Sequence, residues 1–101
     1  MGKDKAYGYL GLAAKAGKAP SGEFQTEEAV KRGRAGVVIL ATDASENTKK
    51  HFKDMCAFRE IPVVELTDKE ELGRRIGRSF RASLAITDQG LARAFLKALE
   101  A

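Results

Sequence analysis

The chain has 101 residues, 44% of them hydrophobic, which predicts one domain spanning residues 1–101 and argues against intrinsic disorder. Eighteen basic against 14 acidic residues give a formal net charge of +4, a bias that permits an anionic partner without requiring one. No apolar run is long enough for a membrane span, no secretory signal opens the chain, and a single cysteine excludes an internal disulfide, so we expect a cytoplasmic protein without a membrane partner.

Short apolar runs alternate along the chain with segments of helical periodicity. Residues 36–42, GVVILAT, are apolar without alternation, which is typical of a strand buried on both faces and covered by helices on each side. In chain order we predict helices at about 5–16, 22–32, 45–58, 69–77 and from 88 onward, and strands at 36–42, 61–66 and 82–87. This order predicts an α/β fold, a three-layer α/β/α sandwich with a small mixed, mostly parallel sheet of about four strands.

Polar side chains at the predicted helix starts indicate N-caps. Asp43 and Ser45 offer oxygens to the third helix, and Asp88 offers one to the last. Thr67 followed by Glu70 has the spacing of a capping box, with Thr67 as the cap.

Few features of the sequence indicate catalysis. Neither of the common glycine-rich phosphate loops is present, and the glycine pairs at 8/11 and 73/77 fall within predicted helices, where close packing is favoured. His51 is expected at the surface, Cys56 in the core, and Asp43 at a helix cap. We therefore predict no catalytic residue, no metal site and no cofactor; an acid–base enzyme using Asp43 is the weakest of three hypotheses.

Most basic residues on two predicted helices have an acidic residue one turn before them. Such pairs stabilise an exposed helix by about 0.2–0.5 kcal/mol each, and they are Glu27–Lys31, Glu28–Arg32, Glu70–Arg74 and Glu71–Arg75. These cations therefore have a structural explanation that needs no ligand.

Arg78 and Arg81 have no such explanation. They flank Phe80 in a predicted loop, and two arginines around an aromatic ring can bind phosphate and stack on an unpaired base. A solvated loop with Phe80 tucked into the core remains an equal alternative.

Four stretches of the chain match a known family in order and spacing. They are LGLAAKAGKAPSG, AVKRGRAGVVILATDASENTKKH, IPVVELTDKEELGRRIGR and ASLAITDQGLA. Through them nearly the whole chain resembles the kink-turn RNA-binding ribosomal protein family L7Ae/L30e, and in particular its small bacterial, YlxQ-like branch. The resemblance implies an α/β/α sandwich that binds RNA without catalysis, at the helix beginning at Gly22 and at the loop 78–81.

The resemblance carries over only in part along that helix. Gly22 matches the family glycine, Gln25 matches a Glu or Gln position, and Arg32 matches a basic position. Phe24 stands where many members have a base-reading Asn, and Glu28 stands where a Lys would contact RNA.

We therefore expect a monomeric, noncatalytic RNA-binding protein associated with the ribosome or translation, with structured RNA and not DNA as its partner. The predicted RNA contacts are Gly22, Gln25, Lys31, Arg32, Arg78, Phe80 and Arg81. The alternative is a protein-interaction module on the same fold that has lost kink-turn specificity, with an exposed Phe24 as its anchor.

Overall fold

The computed structural model describes residues 2–100, which form five helices and three strands. The elements are α1 (Gly2–Lys15), α2 (Glu23–Lys31), β1 (Val37–Leu40), α3 (Glu46–Phe58), β2 (Val63–Glu65), α4 (Lys69–Arg75), β3 (Ser83–Ile86) and α5 (Gln89–Glu100). The strand order is β2-β1-β3, with β1 parallel to β2 and antiparallel to β3. None of the helices described is long and apolar enough to cross a membrane.

The central strand β1 places its side chains alternately in two apolar clusters. Val37 and Ile39 pack in one cluster with residues of α1, α4 and α5. Val38 and Leu40 pack in the other with residues of α2 and α3. Because both faces of the strand are covered by helices, the predicted three-layer α/β/α sandwich is confirmed.

The sheet differs from the prediction in two respects: it has three strands instead of about four, and its two pairings are one parallel and one antiparallel instead of mostly parallel. A fourth extended segment does run beside β3, where Ser21 forms an isolated antiparallel bridge with Leu84. The backbone N–H of Ala85 donates to Pro20 O at 3.0 Å. Pro20 has no N–H to donate in return, so the ladder is not completed.

The helix caps follow the prediction at two of three starts. Ser45 and Asp88 each accept a hydrogen bond from the backbone amide three residues further on. At α4, however, the prediction that Thr67 is the N-cap is wrong. The N-cap is Asp68, whose Oδ1 accepts from the backbone N–H of Glu71 at 2.8 Å.

The predicted close packing at glycine holds at only one of four positions. A Cβ on Gly73 would lie 1.6 Å from the backbone oxygen of Ser79, whereas Gly8 and Gly11 have no described atom within 4 Å of such a Cβ. Gly77 lies beyond the end of α4 with a φ of +74°. Gly73 therefore allows the loop after α4 to cross directly over the helix.

Candidate nucleic-acid interface

The start of α2 presents backbone amides without a side-chain cap, beside the acidic Glu23 of its first turn. Gly22 is its N-cap, at φ 90° and ψ 161°, and no side chain caps the helix. The backbone N–H of Gly22 donates to Ser83 O at 2.9 Å, which fixes the helix start against β3. The first-turn amides of a helix have no partner within the helix and favour a phosphate or carboxylate.

The loop 78–81 is held beside that helix start by backbone and side-chain hydrogen bonds. The N–H of Arg78 donates to Gly73 O at 2.8 Å, and the N–H of Arg81 donates to Lys69 O at 3.1 Å. The side chain of Arg81 then donates from Nε to Ser21 Oγ at 2.9 Å across 60 residues of sequence. Arg81 thus joins the two predicted RNA-contacting parts, so that they form one continuous surface.

Two phenylalanines on this surface are largely exposed. Phe24, in the first turn of α2, is 71% exposed, and Phe80, in the loop, is 65% exposed. The alternative in which Phe80 is tucked into the core is therefore wrong. Both rings are available to stack on a base or to contact a partner.

The two predicted basic contacts at the C-terminal end of α2, Lys31 in its last turn and Arg32 at its C-cap, are paired with acids. Lys31 Nζ lies 3.2 Å from Glu27 Oε1, and Arg32 Nε lies 3.3 Å from Glu28 Oε1. Gln25, the remaining predicted contact on α2, is exposed.

On α4 the pairing differs in one partner from the prediction. Arg75 pairs with Glu71 as expected, but Arg74 also pairs with Glu71 instead of Glu70. Arg78, in contrast, forms no ion pair with any residue of the range 2–100. Its charge is therefore the most available of the predicted basic contacts.

Glu27 also joins α2 to α3. His51, which is exposed as expected, places Nε2 2.9 Å from Glu27 Oε2. Its hydrogen bond, and then that of Lys31, lower the pKa of the Glu27 carboxyl below its ordinary value of 4.5. The acid is thus held ionised between two helices.

A groove that the sequence did not predict opens beside α2, with a volume of about 520 Å³. It lies between the turn after α1, one face of α2 and the end of β3, and its lining is Gly17, Lys18, Pro20, Phe24, Gln25, Glu28, Ala29, Arg32, Arg34 and Thr87. Three cations and one carboxylate therefore face it. Lys18 and Arg34 could not be found from the sequence because they lie in irregular segments after α1 and α2, where helical spacing gives no information about neighbours.

Asp43 and Cys56, which were considered for catalysis, contribute to the fold instead. Asp43 does not cap α3 as expected, since Ser45 is that cap; its Oδ1 accepts a hydrogen bond from the backbone N–H of Lys69 at 2.9 Å and so fixes the start of α4. Cys56 is buried in the core, and burial raises the pKa of its thiol. No cluster of His, Cys, Asp or Glu in the described part of the chain could hold a metal ion.

The chain is similar to known proteins over most of its length. Residues 4–96 match the family model described as the ribosomal protein L7Ae/L30e/S12e/Gadd45 family. The RNA-binding protein YlxQ of Bacillus subtilis (strain 168) is 38% identical over 91 residues, which cover 90% of this chain and 91% of that protein. The RNA-binding protein YlxQ of Enterococcus faecium is 40% identical over 91 residues, covering 90% of this chain and 87% of that protein.

Solved structures share the same architecture. A protein of unknown function from Bacillus halodurans C superposes with a TM-score of 0.91 at 36% identity, covering 96% of this chain and 98% of that one. The 15.5 kD RNA-binding protein of Giardia lamblia superposes with a TM-score of 0.80 at 22% identity, covering 95% and 82% of the two chains. At that identity the second likeness concerns the fold alone.

Proposed function

Because the chain belongs to the ribosomal protein L7Ae/L30e/S12e/Gadd45 family, we propose that it is a noncatalytic RNA-binding protein that recognises a bent, kink-turn-like RNA. In this proposal it acts as a monomeric single domain in the cytoplasm, in association with the ribosome or translation. Two relatives at 38% and 40% identity carry the name RNA-binding protein.

One observation carries the proposal: the hydrogen bond from Arg81 Nε to Ser21 Oγ at 2.9 Å. It brings the open start of α2 next to the loop that presents Phe80 and Arg78. Free helix amides suit a phosphate, and an exposed ring with a neighbouring guanidinium suits an unstacked base. A bent RNA that turns one phosphate and one protruding base toward the same side would contact both.

The charges of the surface predict modest affinity. Lys31 and Arg32 are each paired with an acid, so among the predicted contacts the cations ready for phosphate are those of the loop. In the proposed complex Gly22 and Gln25 contribute through the backbone and a side-chain amide. The shape of the RNA would then matter more than its charge alone.

Binding to a kink-turn RNA and to an unkinked duplex of equal length and composition tests the proposal. If four to six phosphates are contacted, log affinity falls with log salt at a slope of about −4 to −5 on duplex-like RNA. The kinked RNA is expected to bind more tightly at every salt concentration. Equal, weak binding to both RNAs would exclude kink-turn recognition.

Two exposed loop residues allow a test that spares the fold. Arg78→Ala and Phe80→Ala each remove an exposed side chain, and both are expected to weaken binding to the kinked RNA. The control Lys50→Ala removes an exposed cation of α3 that pairs with Asp54 at 2.8 Å. Unchanged affinity in both loop variants would remove the loop from the interface.

A second candidate, a protein-interaction module, is favoured by the 71% exposure of Phe24. In that case Phe24 anchors a protein partner, and Phe24→Ala would abolish the protein contact without changing RNA affinity. The titration of kinked and unkinked RNA with the unaltered protein separates the two functions, because a module that has lost kink-turn specificity binds both RNAs equally.

A further inference from the structure

We propose that the groove beside α2 binds one unpaired nucleotide of the RNA strand that leaves the bend, with its base against Phe24 and its phosphate contacted by Lys18 and Arg34. The inference rests on the proposed RNA-binding function and adds a single-strand subsite to it. The volume of this groove, about 520 Å³, is within the range of about 300–1,000 Å³ typical of small-ligand pockets.

The rim of the groove is fixed before any ligand arrives. The N–H of Thr87 donates to Lys18 O at 2.9 Å, and the N–H of Ala85 donates to Pro20 O at 3.0 Å. On the opposite rim Gln89 Nε2 donates to Arg34 O at 3.3 Å. Because both rims are tied to the end of β3 and the start of α5, little ordering is needed on binding.

The charge of the groove is positive even after its acid is counted. Glu28 is paired with Arg32 at 3.3 Å, so these two side chains nearly cancel each other. Lys18 and Arg34 are exposed and form no ion pair with any residue of the range 2–100. A phosphate in the groove could therefore pair with Lys18 and Arg34 without breaking an existing ion pair.

Phe24 supplies the remaining part of the site. Its ring lines the groove and is 71% exposed. A large apolar ring that contributes little to the core is explained if a planar group covers it in the complex. Base–aromatic stacking tolerates any base, so this subsite would hold a nucleotide without reading its sequence.

The position of the groove favours an RNA strand over a free nucleotide. Gln25, a predicted RNA contact, lines it, and Gly17 and Pro20 line both this groove and a smaller cavity of about 170 Å³ that reaches Arg78. The groove is thus continuous with the surface that would hold the bend. A strand leaving the bend can enter it without crossing α2.

The test compares a blunt kink-turn RNA with the same RNA carrying three unpaired nucleotides at one of its strand ends, each end in turn. One extension is expected to raise the affinity of the unaltered protein about tenfold, a typical effect of one stacked base. The gain is expected to disappear in Phe24→Ala and in the double variant Lys18→Ala/Arg34→Ala. The control Lys3→Ala/Lys5→Ala removes the same charge at the far end of α1, roughly 20 Å away at 1.5 Å per residue, and should keep the gain.

Five outcomes are decisive. Loss of the gain in both groove variants, with the gain kept in the control Lys3→Ala/Lys5→Ala, supports the subsite. No gain at any strand end, or a gain that survives both variants, overturns it while kink-turn recognition stands. If kinked and unkinked RNAs bind alike but the extension still adds affinity through these three residues, the subsite stands and the kink-turn proposal fails. Displacement of the extension by free AMP at micromolar concentration would overturn the inference in favour of a mononucleotide site.

Discussion

Arg32 Nε lies 3.3 Å from Glu28 Oε1 on the turn before it, and this pair sets the charge of the face of α2 that also carries Gln25. Glu28→Gln removes the carboxylate while it preserves the size of the side chain. Arg32 is then free to contact phosphate, so RNA affinity is expected to rise about twofold to fivefold, the scale of an exposed ion pair. The salt slope should become more negative by about 0.9. Both quantities come from one fluorescence titration series.

The matched control is Glu46→Gln, which removes the same charge from a carboxylate that is 93% exposed at the start of α3. It changes net charge equally but lies outside the proposed interface. If both variants raise affinity by the same factor, the effect of Glu28 is that of net charge, and Arg32 has no contact with RNA.

Gly73 and Gly8 provide opposite expectations for the same substitution. A Cβ at Gly73 would lie 1.6 Å from Ser79 O, so Gly73→Ala must displace the loop that follows α4. We expect a loss of about 2–3 kcal/mol in the free energy of unfolding and weaker RNA binding. Gly8 is inside α1 with no described atom near its Cβ position, so Gly8→Ala should gain up to about 1 kcal/mol from helix propensity. Urea denaturation measures both changes, and equal stability of the two variants would contradict the close approach.

The layers of the fold could be predicted because the two faces of β1 needed helices, a requirement visible in GVVILAT alone. The sheet order could not, since nothing local distinguishes the antiparallel β3 from a parallel strand. The pairing of residues 18–22 with β3 is also a long-range feature, and Pro20 hides it by interrupting the ladder. For the same reason the groove rims at Lys18 and Arg34, brought together only by β3 and α5, are not visible in the sequence.

The observed N-cap of α4 is Asp68, whereas the sequence pattern predicts Thr67. Asp68 Oδ1 accepts from the backbone N–H of Glu71 at 2.8 Å, so Asp68→Ala should reduce the free energy of unfolding by about 1 kcal/mol. Thr67→Ala removes no hydrogen bond and should change it by less than about 0.5 kcal/mol. The capping-box pattern misled because Thr67 and Asp68 are adjacent and both can cap. Thermal unfolding of the two variants decides which residue caps; a larger loss in Thr67→Ala would show that Thr67 is the cap.

The link between Glu27 and His51 should make the attachment of α2 to α3 sensitive to acid. Hydrogen bonds from His51 and Lys31 lower the pKa of Glu27 below 4.5 in the folded protein, whereas in the unfolded chain the carboxyl has its ordinary value. The stabilisation is therefore fully present above pH 4.5 and is lost as the pH falls through the lower, folded pKa. A double-mutant cycle with Glu27→Gln and His51→Ala isolates the pair. Its coupling energy, measured by urea denaturation, should be favourable at pH 6 and should fall as the pH is lowered through the folded pKa of Glu27; a coupling that does not change with pH would show that the ionised carboxylate does not join the two helices.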